Sequence, residues 1–433
     1  MTMPSPFALT LIVIVVLSLT GLPLGFAMIG GSILWLFLSG LDMGTAAEQL
    51  LNGMMASQLL LAIPLFILAA EFMNTGSIMD KLLHFCNAIV GRFRGGLAQV
   101  NVVQSVIFAS MSGSALADAA ASGKLMQSLM TRDNKYPPAF AAALTCISSI
   151  IGPIIPPSIP LVLFALVSDT SVGYLFLGGI VPGLLLGIAQ SLMVAWSAKR
   201  RNFPVEARVP LRELPRVTWE AMPALLMPVI LLGCMYSGVT TPTEAAAVAA
   251  AYAVLISIFL YRSVTPRDIY RALASSARVT VSISMLIAGA LVFNFVITSE
   301  DIPKTLKAML ATWELSPIVF LLAINVLLLI LGCFLEGTTI ILVILPVLLP
   351  TAQALGIDMV HFGVMCVVNI MIGLVTPPYG LLLFMMNKIA NVTLRDMVRE
   401  LMPFLGVTFV ALGLIAFVPD FVLFLPRLLG YKG

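Results

Sequence analysis

Two short runs of small polar residues interrupt otherwise apolar stretches: Ser112-Gly113-Ser114, with Asp118 four residues further on, and Glu336-Gly337-Thr338-Thr339. Glycine permits a tight turn, while hydroxyls and the partly positive N-termini of helices suit an anion such as a carboxylate. Small-residue runs also serve close helix packing, and both uses stay open for the runs taken singly. Two further runs each hold a Pro-Pro pair: Gly152-x-x-x-Pro156-Pro157-Ser158 and Gly373-x-x-Thr376-Pro377-Pro378. Each pair removes two amide donors and breaks a helix, leaving nearby carbonyls without partners. Those carbonyls, with the Ser158 or Thr376 hydroxyl, form an oxygen set suited to a desolvated cation such as sodium. A structural kink is the alternative use of the same residues.

The elements that position these runs are membrane helices. Of 433 residues, 60% are hydrophobic and 10% charged, against roughly 25% charged in a soluble domain. That excludes a soluble enzyme. The net charge of +3 is spread over several loops without an aromatic-interleaved basic patch, so nucleic acid is not an expected partner. Five scattered cysteines and two histidines make neither a disulfide framework nor a metal site, and no cofactor is expected beyond coupling ions. Because the first 80 residues contain no Lys or Arg, the apolar run from Phe7 lacks the basic start of a signal peptide and is expected to persist in the mature chain.

Apolar segments fall near 7 to 20, 22 to 40, 54 to 75, 97 to 128, 139 to 167, 173 to 197, 221 to 239, 243 to 262, 275 to 297, 317 to 355, 360 to 386 and 403 to 426. The segments 97 to 128 and 317 to 355 carry the small polar runs in their middles and read as re-entrant helical hairpins. With both hairpins returning to the side they enter from, the basic loops 80 to 96, 131 to 135, 199 to 216, 262 to 278 and 388 to 399 share one side. Of the 23 Lys and Arg, counting Lys124 of the first hairpin with that side, only Lys304, Lys307, Arg427 and Lys432 then lie elsewhere. The positive-inside rule makes that side the cytoplasm and puts the N-terminus, the loop 41 to 53 and the segment around Glu300 outside.

The chain also repeats itself. Asn101-Val102 and Ser112-Gly113-Ser114 correspond, at a spacing of 224, to Asn325-Val326 and Glu336-Gly337-Thr338. Gly152, Pro156 and Pro157 map onto Gly373, Pro377 and Pro378 at a spacing of 221, as Pro182 maps onto Pro403. The segment count puts the two hairpins on opposite sides, so the fold class is all-α integral membrane with two inverted repeats, 1 to 217 and 218 to 433. In each, the first three spans are expected to be mainly scaffold, and the hairpin, broken helix and following span mainly transport domain. Related halves that exchange shapes supply a gate for each side, which makes transport the leading function.

Four acids lie near membrane depth, Glu71, Asp118, Glu244 and Glu336. An unpaired buried carboxylate is costly, so each is a candidate. Glu244, after Thr240-Thr241-Pro242-Thr243, reads as a helix cap. Asp118 can tune a cation site or pair with Lys124. His84 and His361, near span ends, read as interfacial or capping residues. No Arg falls firmly inside a span to clamp a second carboxylate, Arg278 standing at the very start of one. Amphipathic segments at 77 to 90 (Ile78, Leu82, Phe85, Ile89) and 299 to 316 (Ile302, Leu306, Met309, Leu310, Trp313) are expected to lie along the membrane as arms of a moving domain.

The runs Thr240-Thr241-Pro242-Thr243-Glu244-Ala245-Ala246-Ala247, Gly152-Pro153-Ile154-Ile155-Pro156-Pro157-Ser158, and His361-Phe362-Gly363 followed by Gly373-Leu374-Val375-Thr376-Pro377-Pro378-Tyr379-Gly380 together resemble the large membrane subunit (DctM-type) of TRAP transporters, over about residues 7 to 428. The resemblance implies an elevator-type, sodium-coupled importer of organic acids in the bacterial cell inner membrane. It further implies two partners, a small four-helix membrane subunit on a separate chain and a periplasmic substrate-binding protein. Glu336 stands where such proteins often carry Asp, and its longer arm speaks against direct ion coordination by this carboxylate. The substrate, a C4-dicarboxylate or another carboxylate, is not specified by these residues. A stand-alone sodium and dicarboxylate symporter and, from another class, an ion channel are the competing readings; paired broken helices speak against a channel.

The charge distribution yields a topology test. Cysteines introduced at Arg200 and Arg267 should react only with membrane-permeant reagents in intact cells. Labelling of either from the periplasm would reverse every later span and remove the inverted-repeat reading.

Overall fold

A computed structural model describes residues 5–74, 76–206, 210, 212–262, 264–305 and 316–433. Among these, all regular structure is helical. The first half holds α1 (Pro6–Leu19), α2 (Leu24–Leu38), α3 (Gly44–Ala56), α4 (Ala62–Met73), α5 (Gly76–Val90), the hairpin α6 (Gly96–Ser112) and α7 (Ala115–Thr131), the broken pair α8 (Pro138–Ser148) and α9 (Ile159–Ser168), and α10 (Val172–Arg201). The second half follows the same order: α11 (Leu214–Tyr236), α12 (Pro242–Leu255), α13 (Pro266–Ser299), the hairpin α14 (Pro317–Phe334) and α15 (Gly337–Ala354), the broken pair α16 (Met359–Gly373) and α17 (Leu381–Ala390), α18 (Leu394–Phe417) and α19 (Asp420–Leu428).

Among the described residues seven helices are long and apolar enough to cross a bilayer. The chain is therefore a multi-pass membrane protein. Helix starts follow local chemistry. Thr241 and Glu244 form a reciprocal capping box with Pro242 in the first turn, and Thr265 and Asp268 repeat it ahead of α13. Glu244 is thus a cap, as expected. The α13 box starts that helix about ten residues earlier than apolar content alone suggests, so Arg267, Arg271 and Arg278 are helical and not in a loop. Thr393, accepting from the Asp396 amide, likewise starts α18 before its apolar part. The stretch read as loop 41 to 53 is mostly α3, which packs on α13 and meets the next helical run at a bend of 69°. Both arms of the second hairpin are 18 residues and pass the length test for crossing, about 27 Å at 1.5 Å per residue. Those of the first are 17.

Helix contacts come in matched pairs that trade places between the halves. α2 packs on α13 while α4 packs on α12; α8 packs on α18 while α16 packs on α10; α7 packs on α17 while α15 packs on α9. In lipid, association rests on close packing, which small residues allow. At the α2/α13 crossing a Cβ on Gly289 would lie 2.5 Å from the Gly25 carbonyl oxygen, and Gly25 has no room against the Met285 carbonyl. At the α4/α12 crossing Ala245, Ala246, Ala249, Ala250 and Ala253 are buried. α5 buries Ile78 and Leu82 against α6 and α11, as its periodicity predicts. Of the second amphipathic segment, residues 306–315 lie outside the described residues.

The glycine crossing predicts a graded outcome. Gly25→Val should force α2 off α13 and destabilise the protein by about 1 to 3 kcal/mol, whereas Gly413→Ala, with nothing within 4 Å of its new methyl, should be neutral. Thermal midpoints in detergent measure both.

Candidate functional site

The first hairpin turns at Gly113, whose φ of 63° favours glycine, and Ser114 caps α7 by accepting from the Ala117 amide at 3.4 Å. Ser112 Oγ donates to Asp118 Oδ1, which folds the acid back under the tip. Asp118 is buried, and its other oxygen, Oδ2, has no hydrogen-bond partner among the described residues. That oxygen abuts Gly152 so closely that a Cβ there would collide with it, and the Ser149 carbonyl lies 3.2 Å from the same point. Lys124 is exposed and forms no ion pair with Asp118. The structure therefore directs this carboxylate at the first break and away from Lys124.

Tip and break touch. A Cβ on Gly113 would lie 2.6 Å from the Pro157 carbonyl oxygen. Ser158 caps α9 by accepting from the Leu161 amide at 3.2 Å and donates to the Pro153 carbonyl. Both Pro-Pro bonds, Pro156-Pro157 and Pro377-Pro378, are cis. At the second break Thr376 Oγ1 donates to the Ile372 carbonyl at 2.7 Å, which leaves its lone pairs available. The second hairpin meets this break chiefly through its entering arm: the Gly380 amide donates to the Cys333 carbonyl at 3.1 Å, and a Cβ on Gly373 would lie 2.7 Å from Gly332 Cα. Gly337 itself sits against the Met371 and Ile370 side chains.

Beneath the tips a polar bond links each hairpin to its broken helix. Asn101 Nδ2 donates to Thr145 Oγ1 at 2.7 Å, and Asn369 Nδ2 donates to Asn325 Oδ1 at 2.6 Å. Each partner lies 44 residues from its asparagine. Asn101 and Asn325 stand out in the sequence repeat, but Thr145 and Asn369 do not, because a threonine facing an asparagine carries no shared residue type.

The two tips open onto one cavity of about 630 Å³. Ser112, Gly113, Ser114, Glu336, Gly337 and Thr338 line it, with Pro153 of the first break. Glu71 of α4 and Arg278 and Ser282 of α13 line it as well. The remaining candidates, Asp118, Gly152, Pro156, Pro157, Ser158, Thr339, Gly373, Thr376, Pro377 and Pro378, are not in the cavity wall. Glu336 is exposed to the cavity and not folded into a break. Glu71 accepts from Ser275 Oγ at 2.7 Å. Arg278 is exposed and without an ion-pair or hydrogen-bond partner for its guanidinium among the described residues. In the sequence it falls where the basic loop 262 to 278 and the apolar segment 275 to 297 overlap; the structure puts it within α13, which the Thr265 to Asp268 cap starts at Pro266. His361 differs from its interfacial reading: it is buried, with Nε2 2.9 Å from the Ile415 carbonyl, and it ties α16 to α18.

A family model described as the tripartite ATP-independent periplasmic transporter, DctM component, matches residues 11–421. The chain belongs to the DctM family. The DctM chain is 40% identical over 413 residues to the sialic acid TRAP transporter large permease protein SiaM of Vibrio cholerae, covering 95% of this chain and 96% of the relative. It is 42% identical over 371 residues to the C4-dicarboxylate TRAP transporter large permease protein DctM of Pseudomonas aeruginosa, covering 86% and 87%. In fold it is similar to the Alcanivorax borkumensis YdaH transporter, with a TM-score of 0.56 at 13% identity over 82% of this chain and 87% of the other. This DctM chain is accordingly a transporter subunit of the inner membrane and not an enzyme.

The paired asparagine bonds should be coupled in stability. Asn325→Ala and Asn369→Ala combined should destabilise the protein by about 1 kcal/mol less than the sum of the two single changes, read as unfolding midpoints in detergent. Additive losses would mean that the bond contributes nothing.

Proposed function

We propose that this chain is the permease subunit of a sodium-coupled importer of an organic acid, a C4-dicarboxylate or related carboxylate, delivered by a periplasmic binding protein. A small four-helix membrane subunit completes the assembly. The observation that carries the reading is the arrangement around the shared cavity. Two hairpin tips rich in hydroxyls and backbone amides face an unpaired Arg278, and broken helices with uncommitted oxygens stand behind the tips. The volume, about 630 Å³, is in the range of small-ligand pockets. Relatives named for sialic acid and for C4-dicarboxylates both carry acids, which fits an anionic cargo here.

In this reading the acid lies between the tips and Arg278, with one carboxylate on the tip amides and hydroxyls. Sodium sits behind each tip. The first ion is held by Asp118 Oδ2 and carbonyls of the break at Gly152 to Ser158, the second by Thr376 Oγ1 and carbonyls between Gly373 and Pro378. A buried carboxylate oxygen without a donor is costly, and a cation beside it removes the cost. The chemistry of the ligands, mostly neutral oxygens, suits an ion that must also be released. Coupling follows from geometry: ordering the break orders the tip that touches it, so an occupied ion site preforms the acid site. The matched contacts of the two halves support a description as inverted repeats, with both hairpins re-entrant, and an elevator in which α6–α10 and α14–α18 move against α1–α4 and α11–α13. Arg278 belongs to the static part, so it meets the acid only when the tips are opposite it.

Uptake into liposomes tests the scheme. With both membrane subunits, a sodium gradient and the cognate binding protein, labelled organic acid should accumulate; without the binding protein the signal should nearly vanish, and robust uptake there would favour a stand-alone symporter. Thr376→Val should raise the half-saturating sodium concentration about tenfold to a hundredfold, as expected for loss of one ligand worth on the order of 1 to 3 kcal/mol in a dry site. Thr376→Ser should be much milder. Unchanged sodium dependence in both would make Thr376 a packing residue.

A further inference from the structure

Where the basic end of α10 meets the charged first turns of α18, a second cavity, of about 380 Å³, is walled by Trp196, Arg200, Arg201, Arg399, Glu400 and Phe404. It lies apart from the site under the tips, with which it shares no residue. Three guanidinium groups and one carboxylate face it. Arg201 is committed: its Nη1 lies 2.8 Å from Glu400, and its guanidinium stands 5.6 Å from the Phe140 ring centroid. Arg200 stands 5.4 Å from the Trp196 ring centroid, and neither it nor Arg399 has a carboxylate partner among the described residues. The cavity therefore carries two uncompensated positive charges, the condition for taking an anion.

The surroundings say which anion. Both helices turn from charged to apolar at this level, and the half-exposed Trp196 next to Arg200 is the residue type that settles at a membrane boundary. From Trp196 a stripe at helical spacing runs down the open face of α10 through Leu192, Ile188 and Leu184, which are 66%, 59% and 45% exposed. Twelve residues span about 18 Å, close to one leaflet of a hydrocarbon core about 30 Å thick. A cationic pocket that opens onto an apolar track of one-leaflet length matches a molecule with a phosphate at one end and acyl chains at the other. Basic pockets between membrane helices bind acidic headgroups in this way.

We propose that this cavity binds the headgroup phosphate of an anionic phospholipid, with Arg200 and Arg399 on the phosphate and an acyl chain along Leu184, Ile188 and Leu192. Glu400 orients Arg201 and sets an upper limit on the pocket's charge, so a zwitterionic lipid, whose ammonium would meet the free arginines, is disfavoured. The site joins α10 to α18, the last long helix of each half, and an occupied pocket holds their ends together.

The test uses the full-length chain in detergent micelles titrated with phosphatidylglycerol or phosphatidylcholine, with bound lipid counted by native mass spectrometry and the thermal midpoint followed in parallel. Phosphatidylglycerol should be retained in preference and should raise the midpoint. Arg200→Gln with Arg399→Gln should weaken its binding roughly 25-fold, about fivefold per charge removed. Arg200→Lys with Arg399→Lys should retain most of it, and Glu400→Gln should bind more tightly than the parent. Equal retention of both lipids, or unchanged binding in the double glutamine variant, would overturn the assignment. Displacement of the lipid by inorganic phosphate alone would do so too, since the apolar track would then contribute nothing. If the glutamine variant fails to fold, the Glu400→Gln comparison decides by itself: no gain in affinity refutes the charge argument.

Discussion

Backbone amides and carbonyls cannot be left bare in hydrocarbon, and the rest of this structure depends on how that constraint is met at two places where it is broken on purpose. The Pro-Pro pairs strip donors from the middle of two helices. The first unwound segment is buried in protein throughout, while at the second the Gly373 end is buried and Pro378 and Tyr379 are exposed. Glycines of α10 let that helix lie directly on the first break, with Gly179 against the Ile154 carbonyl and Gly183 against Ile155. From the other side Gly113 brings the hairpin tip onto Pro157. At the second break the Gly332 and Gly373 backbones touch, and Gly380 donates to Cys333. Each hairpin is thus the cover of its own break.

That mutual cover ties the cavity wall to the breaks. At the first hairpin the cavity-lining tip itself rests on the break, Gly113 against Pro157, whereas the second hairpin touches its break through Gly332 and Cys333 of the entering arm. Asn101 with Thr145, and Asn325 with Asn369, extend the link deeper into the hairpin arms, where apolar packing alone would let the arms slide. Asp118 stands at the junction with one oxygen on Ser112 of the tip and the other turned to the break.

The outer helices meet by a different rule. α2 with α13 and α4 with α12 join through glycine and alanine, which admit close backbones and hold few alternative packings. The same helices α4 and α13 carry Glu71 and Arg278 into the cavity wall.

What the sequence determined by itself is local: helices, their caps and their interruptions. Gly113, the two Pro-Pro pairs and the Thr241 to Glu244 box act within a few residues, through torsion angles and missing amide protons, and their effects are legible wherever they occur. The membrane setting and the two-fold repetition of hairpin and break follow from composition and spacing on the same terms. Tertiary structure decided which of these pieces meet. Nothing near Asp118 in sequence says that it turns to Gly152 and leaves Lys124 in solvent, because the contact is made by a residue more than thirty positions away whose lack of a Cβ is what admits it. Arg278 stands where the basic loop 262 to 278 and the apolar segment 275 to 297 overlap in the sequence, and it becomes part of the cavity only because α13 passes the hairpin tips. Thr145 and Asn369 acquire partners 44 residues back through the folding of each hairpin onto its broken helix. Such pairings arise from packing between elements, and packing depends on shapes that no single stretch of chain contains.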